Sequence, residues 1–332
     1  MQFYYIIYVI NFERMSESLD GFNIISHKII LLATAILIGA VTVKTGYISK
    51  DIKNMLSKVI VKITLPLLIL NSLTQVELDS ARIKNSVFIV LSAIAIIAVM
   101  YLLGTLISKI FKLPKKTAFM HRCMTAFGNV AFLGYPIIYE LYGADGLFYA
   151  ALYTLVNDIF VWTFVVWRLT VMNGTEKKST FETLKNCLNP PTVAFAISFI
   201  LMISGIRPSG IVKEIAEGIG GTTTYLSMLF IGGTLAETKF SNILKSYPLI
   251  FVVLVKMVLI PTILIYVMRH IPIEPLVKGT LIMQVAVPTQ TILSILTKEF
   301  GGDTDYVVKG IFITTVSGLV TMPFIYYLLT TL

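Results

Sequence analysis

The chain has 332 residues, of which 56% are hydrophobic and only 14% are charged. Soluble domains carry about 25% charged residues, so this composition excludes a soluble globular protein and predicts an integral protein of the lipid bilayer. The net charge of +9 does not indicate nucleic-acid binding. Its basic residues are scattered through short loops between apolar segments, as the positive-inside rule describes.

The chain opens with a short apolar stretch, residues 2–10, followed by a polar run, residues 11–21. About 20 apolar residues are needed to span a bilayer, so this stretch is too short to form a span. It also lacks the basic leading region and the small-residue cleavage site of a signal peptide. We expect residues 1–22 to be an extracytoplasmic N-terminal segment, with Met15 as an alternative first residue.

Ten apolar segments follow, each long enough to cross the bilayer as a helix. Lys and Arg are about twice as frequent in the loops after the odd-numbered segments, which places those loops in the cytoplasm and both termini outside. The expected fold class is an all-α integral membrane protein that passes the cell membrane ten times. The predicted spans are residues 23–43, 54–74, 85–108, 117–141, 147–170, 189–206, 217–236, 247–269, 277–298 and 306–331.

A polar loop near the middle of the chain divides the ten spans into two sets of five. The expected domains are a first five-helix repeat (23–171), a short cytoplasmic loop (172–188) and a second five-helix repeat (189–332). An odd number of spans per set makes the second set enter the membrane from the opposite side, which is an inverted-topology repeat. A turn containing Gly and Asp follows span four (140–145) and span nine (299–303) in matching positions.

Two of the spans contain residues that interrupt helices, in the stretches Gly128–Pro136 of span four and Gln284–Gln290 of span nine. Unwound backbone inside a membrane is tolerated only beside protein or a water-filled cavity, because each unpaired group costs several kcal/mol. Interrupted spans in corresponding positions of two halves are typical of a transporter's binding site. We expect Gly134, Pro136 and Pro288 to break these helices.

The candidate binding residues flank these breaks. A broken helix presents free N–H groups and the positive end of its dipole, which bind anionic oxygens. Asn129 would add an amide, unless it only caps a helix or bonds a neighbouring span, and Pro288 would shape the second break, unless it is a simple kink. The predicted substrate-binding residues are Gly128, Asn129, Val130, Pro288, Thr289 and Gln290.

Two charged residues lie deep inside predicted spans. Asp158 follows Asn157 in span five, and Lys256 lies in span eight. Ionisable residues within membranes are usually functional. Asp158 would bind a coupling cation or relay a proton, or alternatively it would form an ion pair with Lys256.

Motifs for cofactors, metals and catalysis do not occur in the sequence. It contains no P-loop, no His-Glu-x-x-His and no dinucleotide-binding glycine fingerprint. Its three histidines are far apart and lack the spacing of metal ligands, so we interpret them as interfacial polar residues. We therefore expect no cofactor, no metal and no catalytic residue, and a protein that is not an enzyme.

The order of these motifs resembles the auxin efflux carrier family. The similar features are ten spans in two inverted sets, Asn129-x-x-x-x-Gly134-x-Pro136 in span four, and Val287-Pro288 ahead of Lys298-Glu299-Phe300 in span nine. The motif Gly46-Tyr47-Ile48-Ser49 after span one and Leu65-Pro66 in span two also fit this pattern.

The resemblance extends from about Phe22 to the C-terminus and implies a scaffold of spans one, two, six and seven. Spans three to five and eight to ten would form a moving transport part, with broken helices four and nine crossing at its centre. The family's helix-four asparagine corresponds to Asn129, and its helix-nine proline to Pro288. Gly128 stands where plant members often have proline, and the short central loop is closer to the microbial-type members. A homodimer and a small carboxylate substrate are also implied.

The function predicted from these features is a secondary-active or facilitative transporter for a small organic anion, working by alternating access. Two alternatives stay open. One is a sodium-coupled symporter of the bile-acid type, which also uses paired broken helices and would take oxygen ligands from Asp158 and Asn157. The other is a membrane receptor or membrane enzyme.

Overall fold

The computed structural model describes residues 31–77, 79–173, 189–237 and 246–331. Within these ranges the chain is helical and forms no strands, apart from one isolated bridge between Gly128 and Thr289. The helices, in chain order, are α1 Leu31–Lys44, α2 (50–73), α3 Ser80–Ile110, α4 Lys115–Ala126, α5 (130–142), α6 (144–173), α7 Pro190–Ile203, α8 Ile211–Gly221, α9 Thr223–Glu237, α10 Tyr247–Met268, α11 Pro275–Ala286, α12 Ile292–Phe300 and α13 Thr304–Thr331.

Five helical rods are long and apolar enough to cross a bilayer, and α1 and α7 are shorter apolar helices. The prediction of an all-helical membrane protein is therefore confirmed for the described residues. The expected N-terminal segment and the central loop after residue 173 lie outside the described residues. The five rods are Asp51–Leu73, Ser80–Ile110, Val130–Asn173, Tyr247–Met268 and Thr304–Thr331.

The predicted seventh span corresponds to two helices, α8 and α9, which meet at Thr222. Gly220 and Gly221 precede this junction, and glycine has the lowest helix propensity after proline. The hydroxyl of Thr222 donates to the carbonyl of Ile219 at 2.6 Å, a local bond that competes with the helical pattern. The helical region therefore starts earlier than the predicted span, and it is interrupted at Thr222.

Three prolines inside the rods follow a widened helical turn. Pro66, Pro136 and Pro261 are each the second residue of an α-helical segment that comes directly after a π-helical stretch. Proline has no N–H, and its ring clashes with the carbonyl four residues earlier. A wider turn moves the hydrogen bonds to the residue five positions earlier, which makes room for the ring. These prolines therefore lie inside a rod without ending it.

The interruption of span four lies before Gly134 and Pro136, which corrects our expectation that these two residues break the helix. Helix α4 ends at Ala126 and α5 begins at Val130. Gly134 closes the wide turn, with its N–H bonded to the carbonyl of Asn129 at 3.1 Å. Within the rod Val130–Asn173, the non-helical φ of 63° and ψ of −152° at Gly143 separate α5 from α6.

The bridge between Gly128 and Thr289 lies in the interior of the protein. Phe127 is 1% exposed, and Thr289 is completely buried. Helix α11 packs against α5, α6 and α13, and α4 also packs against α13. The two interrupted spans therefore meet in the interior of the protein, where their unwound backbone is shielded from lipid.

Candidate functional site

The two interruptions face each other across a pair of backbone hydrogen bonds. Asn129 N donates to the carbonyl of Pro288 at 2.7 Å, and Gln290 N donates to the carbonyl of Phe127 at 3.2 Å. Backbone groups left unpaired in an apolar interior are costly, so each interruption supplies partners that the other needs. We call residues 127–129 and 287–291 together the crossing.

Buried side chains hold the crossing from behind. Thr289 N donates to Oγ1 of Thr314 at 3.2 Å, and Oγ1 of Thr289 donates to the carbonyl of Met124 at 3.1 Å. Gly128 N donates to Oδ1 of Asn157 at 3.4 Å. Thr289 and Asn157 are both completely buried. Their role is to position the backbone of the crossing.

A hydrogen-bonded cluster of two amides and one carboxylate lies beside the crossing. Asn157 Nδ2 donates to Oε1 of Gln290 at 3.1 Å and to Oδ1 of Asp158 at 3.2 Å. Gln290 Nε2 donates to the same Asp158 oxygen at 3.2 Å. The carboxylate is thus stabilised by amide donors. In the described part of the chain it makes no ion pair with Lys256, so that alternative is wrong.

Lys256 is buried in α10 and lies against the crossing. It is 1% exposed, and a methyl group built on Gly128 would lie 3.4 Å from its Nζ and 2.6 Å from Cγ2 of Val287. Gly128 and Val287 lie just past the C-terminal ends of α4 and α11, where helix dipoles place partial negative charge. No hydrogen bond or ion pair joins Lys256 to another described residue. Two helix ends therefore supply favourable charge for its ammonium.

A cavity of about 1220 Å³ opens beside the crossing. Residues of α2, α7 and α9 form one part of its wall, and residues of α5, α6, α12 and α13 form the other. Five lysines line it against two aspartates, Asp158 and Asp305, so its charge attracts anions. The lysines are Lys53, Lys58, Lys62, Lys298 and Lys309.

Only two of the six predicted substrate-binding residues line this cavity, namely Asn129 and Gln290. The others are buried within or behind the crossing, because their backbone and side chains are used to hold the two interruptions together. Asp158 also lines the cavity, whereas Asn157 and Lys256 do not. The four buried residues are Gly128, Val130, Pro288 and Thr289.

The side chain of Asn129 makes no hydrogen bond with any other described residue. It does not cap α5, although its carbonyl accepts from the N–H groups of Leu133 and Gly134, both at 3.1 Å. Its amide lines the cavity. The first N–H groups of a helix have no intrahelical acceptor, and α5 and α12 both begin at this cavity. An amide and two helix N-termini therefore lie where an anionic oxygen would be stabilised.

The cavity lysines were not recognised as site residues from the sequence. The positive-inside rule explains these lysines equally well, so the sequence alone does not assign them to a site. One signal was available in α2, where Lys53, Ser57 and Val61 recur every fourth residue and share one helix face. Asn189 was also missed; its Oδ1 caps α7 by accepting from Thr192 N at 3.0 Å.

His121 differs from the prediction that the histidines are interfacial. It is completely buried in α4, and its Nδ1 lies 2.9 Å from the hydroxyl of Tyr306 on α13. Among the described residues, no group of three or more His, Cys, Asp or Glu side chains could hold a metal ion. His121 therefore connects two helices of the bundle.

Comparisons with known proteins identify the family of the chain. A family model described as membrane transport protein matches residues 24–326. An uncharacterized transporter of Methanothermobacter thermautotrophicus is 22% identical over 306 residues, which cover 90% of this chain and 96% of the relative. A second uncharacterized transporter, from Methanocaldococcus jannaschii, is 23% identical over 305 residues, which cover 89% of this chain and 95% of the relative. The chain therefore belongs to the membrane transport protein family, the auxin efflux carrier family that its motifs resemble.

Proposed function

We propose that this transporter is a secondary-active or facilitative carrier that moves a small organic anion, a carboxylate, across the cell membrane. The observation that carries this proposal is the Asn129 amide, which has no hydrogen-bond partner among the described residues and lies at the crossing in a lysine-lined cavity. The N-termini of α5 and α12 would share the negative charge with this amide. Gln290 would orient the substrate from the opposite side of the crossing.

The architecture proposed for this carrier is ten spans in two inverted sets of five. Its support is a sequence of elements that occurs in both halves. Helices α4 and α11 each have 12 residues and lead into an interruption. The helices that follow end at Gly143 and Gly301, with φ of 63° and 80°, before a long helix begins. This recurrence is expected of inverted repeats whose interrupted helices cross at the substrate site.

Alternating access would move one wall of the cavity past the other. The lysines of the cavity include Lys53, near the start of α2, and Lys298, in the last turn of α12, both on the lysine-rich face that the positive-inside rule assigns to the cytoplasm. Phe132 of α5 and Phe230 of α9 touch across the two walls, with ring centroids 5.4 Å apart. We infer that α5, α6, α12 and α13 slide against α2, α7 and α9, and that the latter group forms the contact of a homodimer.

Uptake of labelled organic acids into proteoliposomes tests the proposed function. We expect saturable uptake of at least one small mono- or dicarboxylate and none of its neutral amide analogue, because helix N-termini and lysines favour the charged form. Protein-free liposomes are the control for leakage. Equal uptake of the acid and its amide analogue would contradict recognition of an anion.

The position of Lys256 favours a carrier without sodium coupling. In sodium-coupled carriers, helix C-terminal ends and unwound carbonyls coordinate the ion. Here the Nζ of the buried Lys256 lies just past two helix C-termini, so its amino group occupies that side of the crossing. On the other side, Asn157 and Gln290 turn NH₂ groups toward Asp158, whereas a sodium ion requires oxygen ligands.

We expect transport to be unchanged when choline replaces sodium, and to fall about tenfold or more in Lys256→Met. Methionine keeps the length of the side chain but removes a charge whose interaction with helix ends is worth up to about 2 kcal/mol. Transport rates with and without sodium check both parts. The control is Lys84→Met, at an exposed position of α3. A sodium requirement in the unmodified protein would refute this prediction and favour the symporter.

A further inference from the structure

Helices α3, α4 and α6 enclose a second cavity on the lysine-rich face, separate from the crossing. Its volume is about 380 Å³, and the residues that line it include five cations and no carboxylate. We call this cavity the basic cleft. Its five cations are Lys109, Lys112, Lys115, Arg122 and Arg168.

No ion pair among the described residues neutralises the cations of the basic cleft. In the part of the chain that the structure describes, the ion pairs Arg82–Asp145, Arg207–Glu77 and Lys309–Asp305 use none of them. Arg122 Nε donates to the hydroxyl of Ser108 at 3.3 Å, which orients the guanidinium within the cleft. An oriented guanidinium matches the geometry of phosphate oxygens.

The backbone of α4 adds to this positive potential. The helix begins at the cleft, with Lys115 and Lys116 in its first turn and no acidic residue there. Cations at a helix N-terminus oppose the helix dipole, whereas an anion at this position is stabilised. A bound phosphate would therefore relieve the repulsion among the cations and also pair with the free N–H groups of α4.

The surroundings of the basic cleft indicate a lipid as the source of that phosphate. Leu113, Phe119 and Met172 line the same cleft, and Trp167, directly before Arg168, is 51% exposed. Aromatic residues beside basic ones mark the membrane interface, and basic pockets between helices on the cytoplasmic side suit phospholipid headgroups. We propose that the basic cleft binds the phosphate of an anionic phospholipid from the cytoplasmic leaflet.

Quenching of Trp167 fluorescence by brominated lipids tests this site without measuring transport. The chain has two tryptophans, so Trp162→Phe leaves Trp167 as the single reporter. The protein is placed in detergent micelles doped with dibrominated phosphatidylglycerol or dibrominated phosphatidylcholine. We expect the anionic lipid to quench at a concentration about tenfold lower than the zwitterionic lipid, because each nearby cation strengthens the attraction to anionic lipid.

Charge-removing variants locate the effect. Lys109→Gln/Lys115→Gln should abolish the preference for phosphatidylglycerol, and both positions are exposed on helices, so the variant should fold. Lys84→Gln/Lys213→Gln removes two exposed lysines of the opposite face and should retain the preference. A preference that survives in the cleft variant would overturn the proposal. Displacement of phosphatidylglycerol by equimolar inorganic phosphate would overturn the assignment to lipid and indicate a soluble phosphate instead.

Discussion

Replacing Asn129 with alanine is expected to lower kcat/KM for the carboxylate substrate about 10- to 150-fold. This range follows from the 1.5–3 kcal/mol that hydrogen bonds to charged groups contribute. Its amide lines the cavity and makes no bond with another described residue, so its removal leaves the crossing intact. Initial rates of labelled substrate uptake over a range of concentrations provide the measurement.

A charged variant and a matched asparagine distinguish recognition from misfolding. Asn129→Asp keeps the shape of the side chain but places a negative charge beside the substrate, so it should reduce transport more than alanine does. Asn85 of α3 is equally buried and contacts the hydroxyl of Tyr149 at 3.4 Å, away from the cavity. Asn85→Ala should retain transport. Unchanged uptake by Asn129→Ala would remove the proposed site.

The largest loss of stability is expected for Gly232→Ala, where α9 crosses α1. A Cβ atom at this position would lie 1.8 Å from the carbonyl oxygen of Ile36 and 2.8 Å from the backbone N of Ala40. Backbone atoms cannot rotate away as side chains do, so α1 and α9 would have to separate. Overpacking costs about 1–3 kcal/mol and occasionally more, which corresponds to a decrease in melting temperature of at least about 2–4 °C.

Thermal unfolding in detergent measures this effect. The readout is the loss of the monodisperse protein peak as the temperature rises. Gly218→Ala is the matched control, since no atom lies within 4 Å of a Cβ added there. Alanine is favoured over glycine in a helix by about 1 kcal/mol, so this control should be neutral or slightly stabilising. Equal melting temperatures for the two variants would show that the helices do not approach as closely as the backbone distances indicate.

Much of the fold could be read from the sequence, because a membrane restricts what apolar segments can form. Long apolar stretches must become helices in hydrocarbon, which is why four of the five rods coincide with predicted spans, namely spans two, three, eight and ten. Interruptions were harder to place. Pro136 looked like a breaker, yet the π-helical turn before it allows the rod to continue. The actual interruption at 127–129 contains no proline, and its backbone pairs with another segment of the chain.

The residues of the candidate site were also only partly predictable from the sequence. Asn129 and Gln290 stood out because amides are unusual within apolar spans, and both line the cavity. Thr289 stood out for the same polarity, but its hydroxyl bonds the carbonyl of Met124. Asp158 and Lys256 were candidates for an ion pair, yet Asp158 bonds to two amides at the cavity and Lys256 is buried outside it. Residue type indicated which side chains need a polar partner, and only packing showed whether the protein supplies it.

By itself, the sequence determined that this protein lies in a membrane, belongs among carriers and has two interrupted helices, since these properties depend on local composition and order. The tertiary structure decided which backbone groups pair across the crossing, which polar side chains are consumed there and which reach the cavity. The physical reason is that these backbone hydrogen bonds join segments more than 150 residues apart in the chain. The N–H and C=O groups that form them do not depend on the type of side chain. No local pattern of side chains can encode that pairing.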